Sequence, residues 1–341
     1  MSQKKQKSLW IAAAGAGALI GLRALNRRRN AFDFAGKTVL ITGASRGLGL
    51  VMARQLAAEG ANLAICARDA TELEKARQEL TEAGAQVLAV PCDIRHEREV
   101  NALVKEVENR FGQVDVLINN AGVIQVGPLE NMSLQEYREA MDTHYWAPLY
   151  AMLAVLPGMK QRKSGRIVNI ASVGGKISLP HMVPYSGSKF ALVGLSEGFR
   201  AELKQYNIPV TTINPGLIRT GSPNHAIVKG QHQKEYAWFT SVDVFPLLSM
   251  SAQRTARKII EACRYGEAEL TLTLSGKLAA LLHGISPSFI ADYFGLINYI
   301  LPEPGSNQRR SGRQSKSDKT PGWVESLNQK AAKENNEQKG K

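Results

Sequence analysis

Tyr185-Ser-Gly-Ser-Lys189 stands directly ahead of the apolar run Phe190-Ala-Leu-Val-Gly-Leu195. On a helix, residues four apart lie one turn apart on the same face, so this spacing sets the Lys189 ammonium near the Tyr185 phenol. A neighbouring cation favours phenolate and draws a tyrosine below its ordinary pKa of about 10. A phenol tuned toward neutrality can give or take a proton at physiological pH. A tyrosine and a lysine four apart recur by chance, so the rest of the chain must decide what they do.

The elements that would position them alternate regularly. Lys37-Thr-Val-Leu-Ile-Thr42 reads as a buried strand, Gly43-Ala-Ser-Arg-Gly47-Leu-Gly49 as a glycine turn, and Leu50 to Gly60 as a helix closed by glycine. Strand, glycine turn and helix in this order let a backbone approach a pyrophosphate held on the free amides of the helix N-terminus. The second strand, Asn62–Cys66, ends in Ala67-Arg68 where a cofactor with a free ribose 2′-hydroxyl would meet an acid. Arg68 and Arg46 suit a 2′-phosphate, so NADP(H) is expected over NAD(H). Asp69 reads as the N-terminal acid of a helix over 71–83.

Further strands are predicted at Val87–Val90, Val114–Ile118, Arg166–Ile170 and Val210–Ile213, with helices over 97–111, 133–159 and 185–206. Ser133 with Glu136 forms a capping box, and the long helix is expected to break near Pro148. This alternation specifies an α/β fold with a doubly wound parallel sheet, in which ligands lie beyond the carboxyl ends of the strands. Asp93, Asn120, Ser172 and Pro215 all fall at such ends, with Asp93 placed to bond an adenine amino group.

The chain of 341 residues is 44% hydrophobic, enough for a sizeable core, and carries a net charge of +13. The excess sits at the ends. Residues 1–30 hold Lys4, Lys5, Lys7, Arg23, Arg27, Arg28 and Arg29 without an acid, and the tail from Glu303 holds nine basic against five acidic residues. That distribution argues against a nucleic-acid-reading domain and for tails near an anionic surface, or simply solubilising ones. Cys66, Cys92 and Cys263 are scattered in apolar runs and read as buried thiols, and no Cys/His spacing predicts a metal site.

Leu9 to Leu22 is an uncharged apolar run, extendable to Leu25 if Arg23 snorkels. It is expected to be an uncleaved membrane anchor leaving the body in the cytoplasm; a disordered extension and a helix packed on the body are the alternatives. Residues 31–275 form the expected catalytic domain. Residues 276–302 are an apolar helical extension broken by Pro287, which caps the cleft, lies on a membrane interface or packs as an ordinary helix. The polar tail, 303–341, is expected to be disordered.

Gly43-x-x-x-Gly47-x-Gly49 after Thr42, Asn119-Asn-Ala-Gly122, Ser172, Tyr185-x-x-x-Lys189 and Pro215-Gly-x-x-x-Thr220 occur in the order of the short-chain dehydrogenase/reductase family, which the chain resembles over roughly residues 35–265. The resemblance implies a Rossmann-type domain that interconverts a carbonyl and an alcohol by hydride transfer. It makes Tyr185 the general acid/base, Ser172 the donor to the substrate oxygen, and Lys189 the holder of the nicotinamide ribose and depressor of the Tyr185 pKa. Thr220 would meet the carboxamide. Cofactor contacts are implied at Gly43, Ser45, Arg46, Gly47, Leu48 and Gly49, and at Arg68, Asp93 and Ile94. Others fall at Asn120, Ala121 and Gly122, and at Pro215, Gly216 and Ile218. His144 stands where the family usually has an asparagine that orders a relay water. It is expected either to keep that relay or to be a satisfied buried histidine.

The segment 221–245, with Trp238, Phe239, Val244 and Phe245, is expected to wall an apolar pocket opposite Ser178–Val183. A lipophilic ketone, aldehyde or alcohol is the expected substrate. Members of the family often pair through the helices carrying Tyr185 and His144, so a homodimer is expected. A non-catalytic NADP-binding sensor or scaffold is the alternative from another class, and an epimerase or dehydratase of the extended branch fits the glycine spacing poorly.

Overall fold

The computed structural model describes residues 31–245 and 249–337; the apolar run at 9–25 lies outside them. Its centre is a seven-stranded parallel sheet built from β1 (Thr38–Thr42), β2 (Asn62–Ala67), β3 (Val87–Pro91), β4 (Val116–Asn119), β6 (Arg166–Ile170), β7 (Val210–Asn214) and β11 (Glu269–Thr271). The spatial order is β11-β7-β6-β4-β1-β2-β3, so the order reverses between β1 and β4. At that reversal the crossovers leave on opposite faces and a crevice opens at the carboxyl ends of the strands.

Successive strand residues point to opposite faces, which is why these strands are apolar without a break. Val39, Ile41, Leu63 and Ile65 face one layer with Leu50, Leu56, Ile259 and Ile260, from α1 (Gly47–Ala58) and α8 (Ala252–Tyr265). Leu40, Ala64, Leu117, Ile167 and Val210 face the other with Leu103, Val107, Met152 and Val155, from α3 (Glu97–Phe111) and α5 (Ala147–Arg162). Between β2 and β3, α2 (Ala70–Glu82) is capped by Asp69, whose carboxylate accepts from the amides of Thr71 and Glu72 at 3.0 Å.

The helix expected over 133–159 comes as three pieces. α4 (Leu134–Met141) opens on the Ser133/Glu136 capping box, residues 142–146 form one wide π-helical turn, and α5 follows. Pro148 has no N–H, and its ring crowds the carbonyl four residues back. The helix therefore opens by one residue just before it, and the Ala147 amide bonds Asp142 O instead. α6 (Val183–Leu203) carries the Tyr185 pair and buries Ser186, Ser188, Lys189, Leu192, Val193 and Ser196.

Beyond β7, the short strands β8 (Leu217–Arg219) and β10 (Ser249–Ser251) pair in parallel. β9 (Ile227–Gly230) joins β5 (Gln125–Val126), and α7 (His232–Val244) closes over the cleft. The apolar extension is a helical hairpin, α9 (Leu274–Ile285) and α10 (Pro287–Asn298), with Pro287 starting the second helix.

The tail departs from the disorder expected of it. β12 (Ser306–Ser311) adds antiparallel to β9, and α11 (Gly322–Glu334) packs on α7. Its polar side chains are spent on specific partners: Asn131 donates to Gly305 O and Asn307, Asn328 to Asn224 and Tyr236, and Arg309 pairs with Glu139. Val324, Ala331 and Ala332 supply the buried apolar contact. These long-range hydrogen bonds and the 13-residue helix α11 outweigh a composition that by itself predicts disorder.

Candidate active site

A cleft of about 1150 Å³ runs across the carboxyl ends of β1, β2, β4, β6 and β7. Its floor is the glycine turn. Gly43 adopts φ +67° and a Cβ there would lie 2.7 Å from Ala121 Cα, while one on Gly49 would lie 2.4 Å from Gly43 O. Neither position tolerates a side chain, because the β4 turn and the glycine turn itself pack directly against these two backbones. Asn120 buttresses the turn: its Nδ2 donates to Thr42 O and Gly43 O, both at 3.0 Å, and Thr42 Oγ1 accepts the amides of Asn120 and Ala121. The N-terminus of α1 and this cradle have the form that takes a dinucleotide pyrophosphate, although the first amide, that of Gly47, donates here to Asn335 O at 2.8 Å.

Ser172, Tyr185 and Lys189 converge on the same cleft. Ser172 caps the turn after β6, accepting from the Gly174 amide at 3.0 Å, and also hydrogen-bonds the Tyr185 hydroxyl. Gly174 is glycine because a Cβ would stand 3.1 Å from the Tyr185 ring. Lys189 Nζ donates to Ile170 O at 2.9 Å. Burial pushes the Lys189 ammonium down to about 7. The Tyr185 phenol moves the other way from the sequence expectation. Burial raises it, the Ser172 hydrogen bond pulls against that, and the carboxyl of Asp243 adds to the rise. The phenol therefore keeps its proton through neutral pH, the form a general acid must have before it donates.

The wide turn aims His144 at the edge of the Tyr185 ring, with centroids 5.4 Å apart. Its Nε2 accepts from the Val123 amide at 3.1 Å, so the proton sits on Nδ1 and goes to Ser188 Oγ at 2.8 Å; Ser188 donates onward to Tyr185 O. Both ring nitrogens are thereby used, and burial with the nearby Lys189 charge holds His144 well below the usual histidine range. In this arrangement both ring nitrogens of His144 have protein partners, the pattern of a satisfied buried histidine.

At the end of the cleft over β2 and β3, Arg46, Arg68, Asp93 and Ile94 line it. Asp93 is held by the Arg95 guanidinium, at 2.5 Å for the shortest pair, which keeps its carboxyl below the usual range. Arg46 is already paired with Glu72 and lies 3.2 Å from Glu337. At the other end, Pro215, Gly216, Ile218 and Thr220 border the cleft. Of the four apolar residues expected on the wall from 221–245, Phe239 lines it. Trp238 instead donates to Glu235 at 2.7 Å beside His181, Val244 is buried, and Phe245 turns outward. Leu179 and Met182 face Phe239 as expected.

One residue escaped the sequence reading. Asp243, on α7, lines the cleft near Tyr185; it is buried, and its Oδ2 has no hydrogen-bond partner among the described residues. Burial pushes its carboxyl up to about 7. Its only signal was a single acid inside the apolar run around Trp238–Phe245.

A family model for short chain dehydrogenases matches residues 37–228. The chain belongs to the short-chain dehydrogenase/reductase family. It is 38% identical over 223 residues to a zebrafish (Danio rerio) dehydrogenase/reductase SDR family member 7B, covering 64% of this chain and 72% of that one. A ketoacyl reductase of Nostoc sp. is 39% identical over 183 residues, 54% of this chain and 64% of its own length. Among solved structures, L-sorbose reductase from Gluconobacter frateurii, complexed with NADPH and L-sorbose, superposes with a TM-score of 0.63 at 27% identity, over 71% of this chain and 97% of that one. The short-chain dehydrogenase/reductase enzymes are oxidoreductases that use NAD(P)(H), and the parallel sheet and cleft described above are those of this family.

Proposed function

We propose that the protein is an NADP(H)-dependent reductase of a lipophilic ketone or aldehyde, or the dehydrogenase of the matching alcohol. The observation that carries the chemistry is the convergence of Ser172, Tyr185 and Lys189 beside a glycine cradle in one cleft. The bound nicotinamide supplies or takes up the hydride. Tyr185, protonated at neutral pH, gives its proton to the carbonyl oxygen, and Ser172 holds that oxygen through its hydroxyl. Lys189 would hold the nicotinamide ribose, Thr220 the carboxamide, and Arg46 with Arg68 a 2′-phosphate. The solved L-sorbose reductase carries NADPH, which agrees with this choice of cofactor.

The lipophilic substrate is supported by the walls: Leu179, Met182, Phe239, Val242, Phe294 and Ile297 line the cleft. The N-terminal run 9–25 is read as the membrane tether that keeps the body beside such substrates. Among the described residues no helix is long and apolar enough to cross a membrane.

The test is NADPH oxidation with carbonyl compounds of graded hydrophobicity, followed at 340 nm, for the wild type and Tyr185→Phe. Turnover should rise with hydrophobicity and fall at least about 100-fold in the variant, with NADPH affinity retained. Tight NADPH binding without turnover of any carbonyl or alcohol would instead make the protein a cofactor-binding sensor.

A further inference from the structure

The residues after α11 run back across the glycine turn. The Gly47 amide, first of α1, donates to Asn335 O at 2.8 Å, and Asn336 Nδ2 donates to Ser45 O at 2.9 Å. On the far side of the cleft, Asn335 Nδ2 donates to Thr220 O at 3.2 Å. Glu337 then turns inward and is buried. Its carboxylate lies 3.2 Å from the Arg46 guanidinium and 3.0 Å from His225 Nε2, and Arg313 holds its backbone carbonyl. A Cβ built on Gly47 would stand 2.6 Å from Glu337 Oε1. The carboxylate therefore fills the room that the absent side chain of Gly47 leaves.

A helix-terminal amide, a guanidinium and the space over a glycine are what a phosphate of a dinucleotide takes at such a turn. Here the chain's own carbonyl and carboxylate take all three. Two anions cannot share that space, because a phosphate beside a buried carboxylate meets unscreened repulsion. The strap is also incompletely satisfied, since Asn335 Oδ1 is buried without a hydrogen-bond partner, which lowers what its release costs.

We propose that residues 335–337 are an intramolecular competitor of the cofactor, with Glu337 standing in for a phosphate, and that the strap leaves the glycine turn when the dinucleotide arrives. This rests on the dinucleotide reading of the cleft. Apparent affinity is then the intrinsic affinity scaled by the fraction of molecules with the strap open. α11, held by Asn328 on Asn224 and Tyr236, stays in place and keeps the strap at high local concentration.

The experiment compares the full chain, Glu337→Gln and a chain ending at Glu334, titrated with NADPH and NADH by fluorescence, with thermal unfolding confirming that all three fold. Hydrogen exchange over residues 331–337 is followed with and without NADPH. Both variants should bind NADPH tighter, the truncated chain by at least about fivefold. NADPH should raise exchange at 335–337 in the full chain. Equal or weaker binding in both variants, or lower exchange under NADPH, overturns the proposal and makes the segment a clasp over bound cofactor. Tight and identical binding by all three proteins removes the strap alone. Failure of every form to bind either dinucleotide removes the strap and the cofactor reading together.

Discussion

At the scale of single residues, the cleft collects three ionisable groups whose burial moves them toward their neutral forms: Lys189, Tyr185 and Asp243. Asp243 gives a stability prediction with a definite sign. Its carboxyl titrates near 3.8 when unfolded and at about 7 in the folded protein. Between those values the native state holds a proton that the unfolded chain lacks, so Asp243 makes stability fall as pH rises through that window. Asparagine carries no such burden. Asp243→Asn should therefore match the wild type closely near pH 4 and exceed it at pH 8, by up to about 4 kcal/mol. Urea unfolding at several pH values checks this, and two parallel stability curves would refute it. Tyr185 and Lys189 were legible in the sequence because a local spacing defines them. Asp243 was not, because its significance comes from α7 folding over a cleft made by strands far away in the chain. The direction of the Tyr185 shift was missed for the same reason: spacing shows the neighbouring cation, while burial, the larger effect here, belongs to the tertiary structure.

At the scale of elements, the wide turn at 142–146 converts a proline into the placement of a histidine. Pro148 was enough to foresee a break in the helix. That the break swings His144 between the Val123 amide and Ser188 depends on where β4 ends and on how α6 lies. The position makes His144 a positioning residue for Tyr185, through the ring contact and through Ser188. His144→Phe keeps a ring against Tyr185 but leaves the half-buried Val123 amide without its acceptor and the Ser188 hydroxyl without the imidazole donor, at a cost of about 1–3 kcal/mol. Turnover should fall while the shape of the pH–rate profile stays the same, because His144 is neutral across the working range. If His144 instead carries a proton in the reaction, the variant loses or displaces one limb of that profile. Measuring kcat from pH 5 to 9 separates the two.

At the scale of the molecule, one sheet carries two additions: the tail that wraps β9 and α7, and the hairpin α9–α10. Pro287 made the break in the hairpin legible. The order of the tail was hidden, since partners such as Asn131 and Asn224 lie more than a hundred residues away in the sequence. The hairpin has two apolar faces. One, with Tyr293, Phe294 and Ile297, closes the cleft, while Leu281, Ile285, Phe289 and Leu296 point outward, more than half exposed. An apolar surface of this kind next to a substrate opening is expected to meet the phase in which a lipophilic substrate is dissolved. Each such side chain gains about 1.5–3 kcal/mol on leaving water, so acidic residues at 281, 285 and 289 abolish that contact. The combination Leu281→Glu, Ile285→Glu and Phe289→Glu in the full chain should reduce a long-chain carbonyl dissolved in phosphatidylcholine vesicles at least about tenfold more slowly in kcat/KM. A short water-soluble carbonyl should be reduced at the wild-type rate, because the residues that line the cleft are untouched. Equal losses on both substrates would mean that the substitutions had disturbed the cleft itself. No loss on either would show that substrate arrives from water and that the outward face of the hairpin serves another purpose.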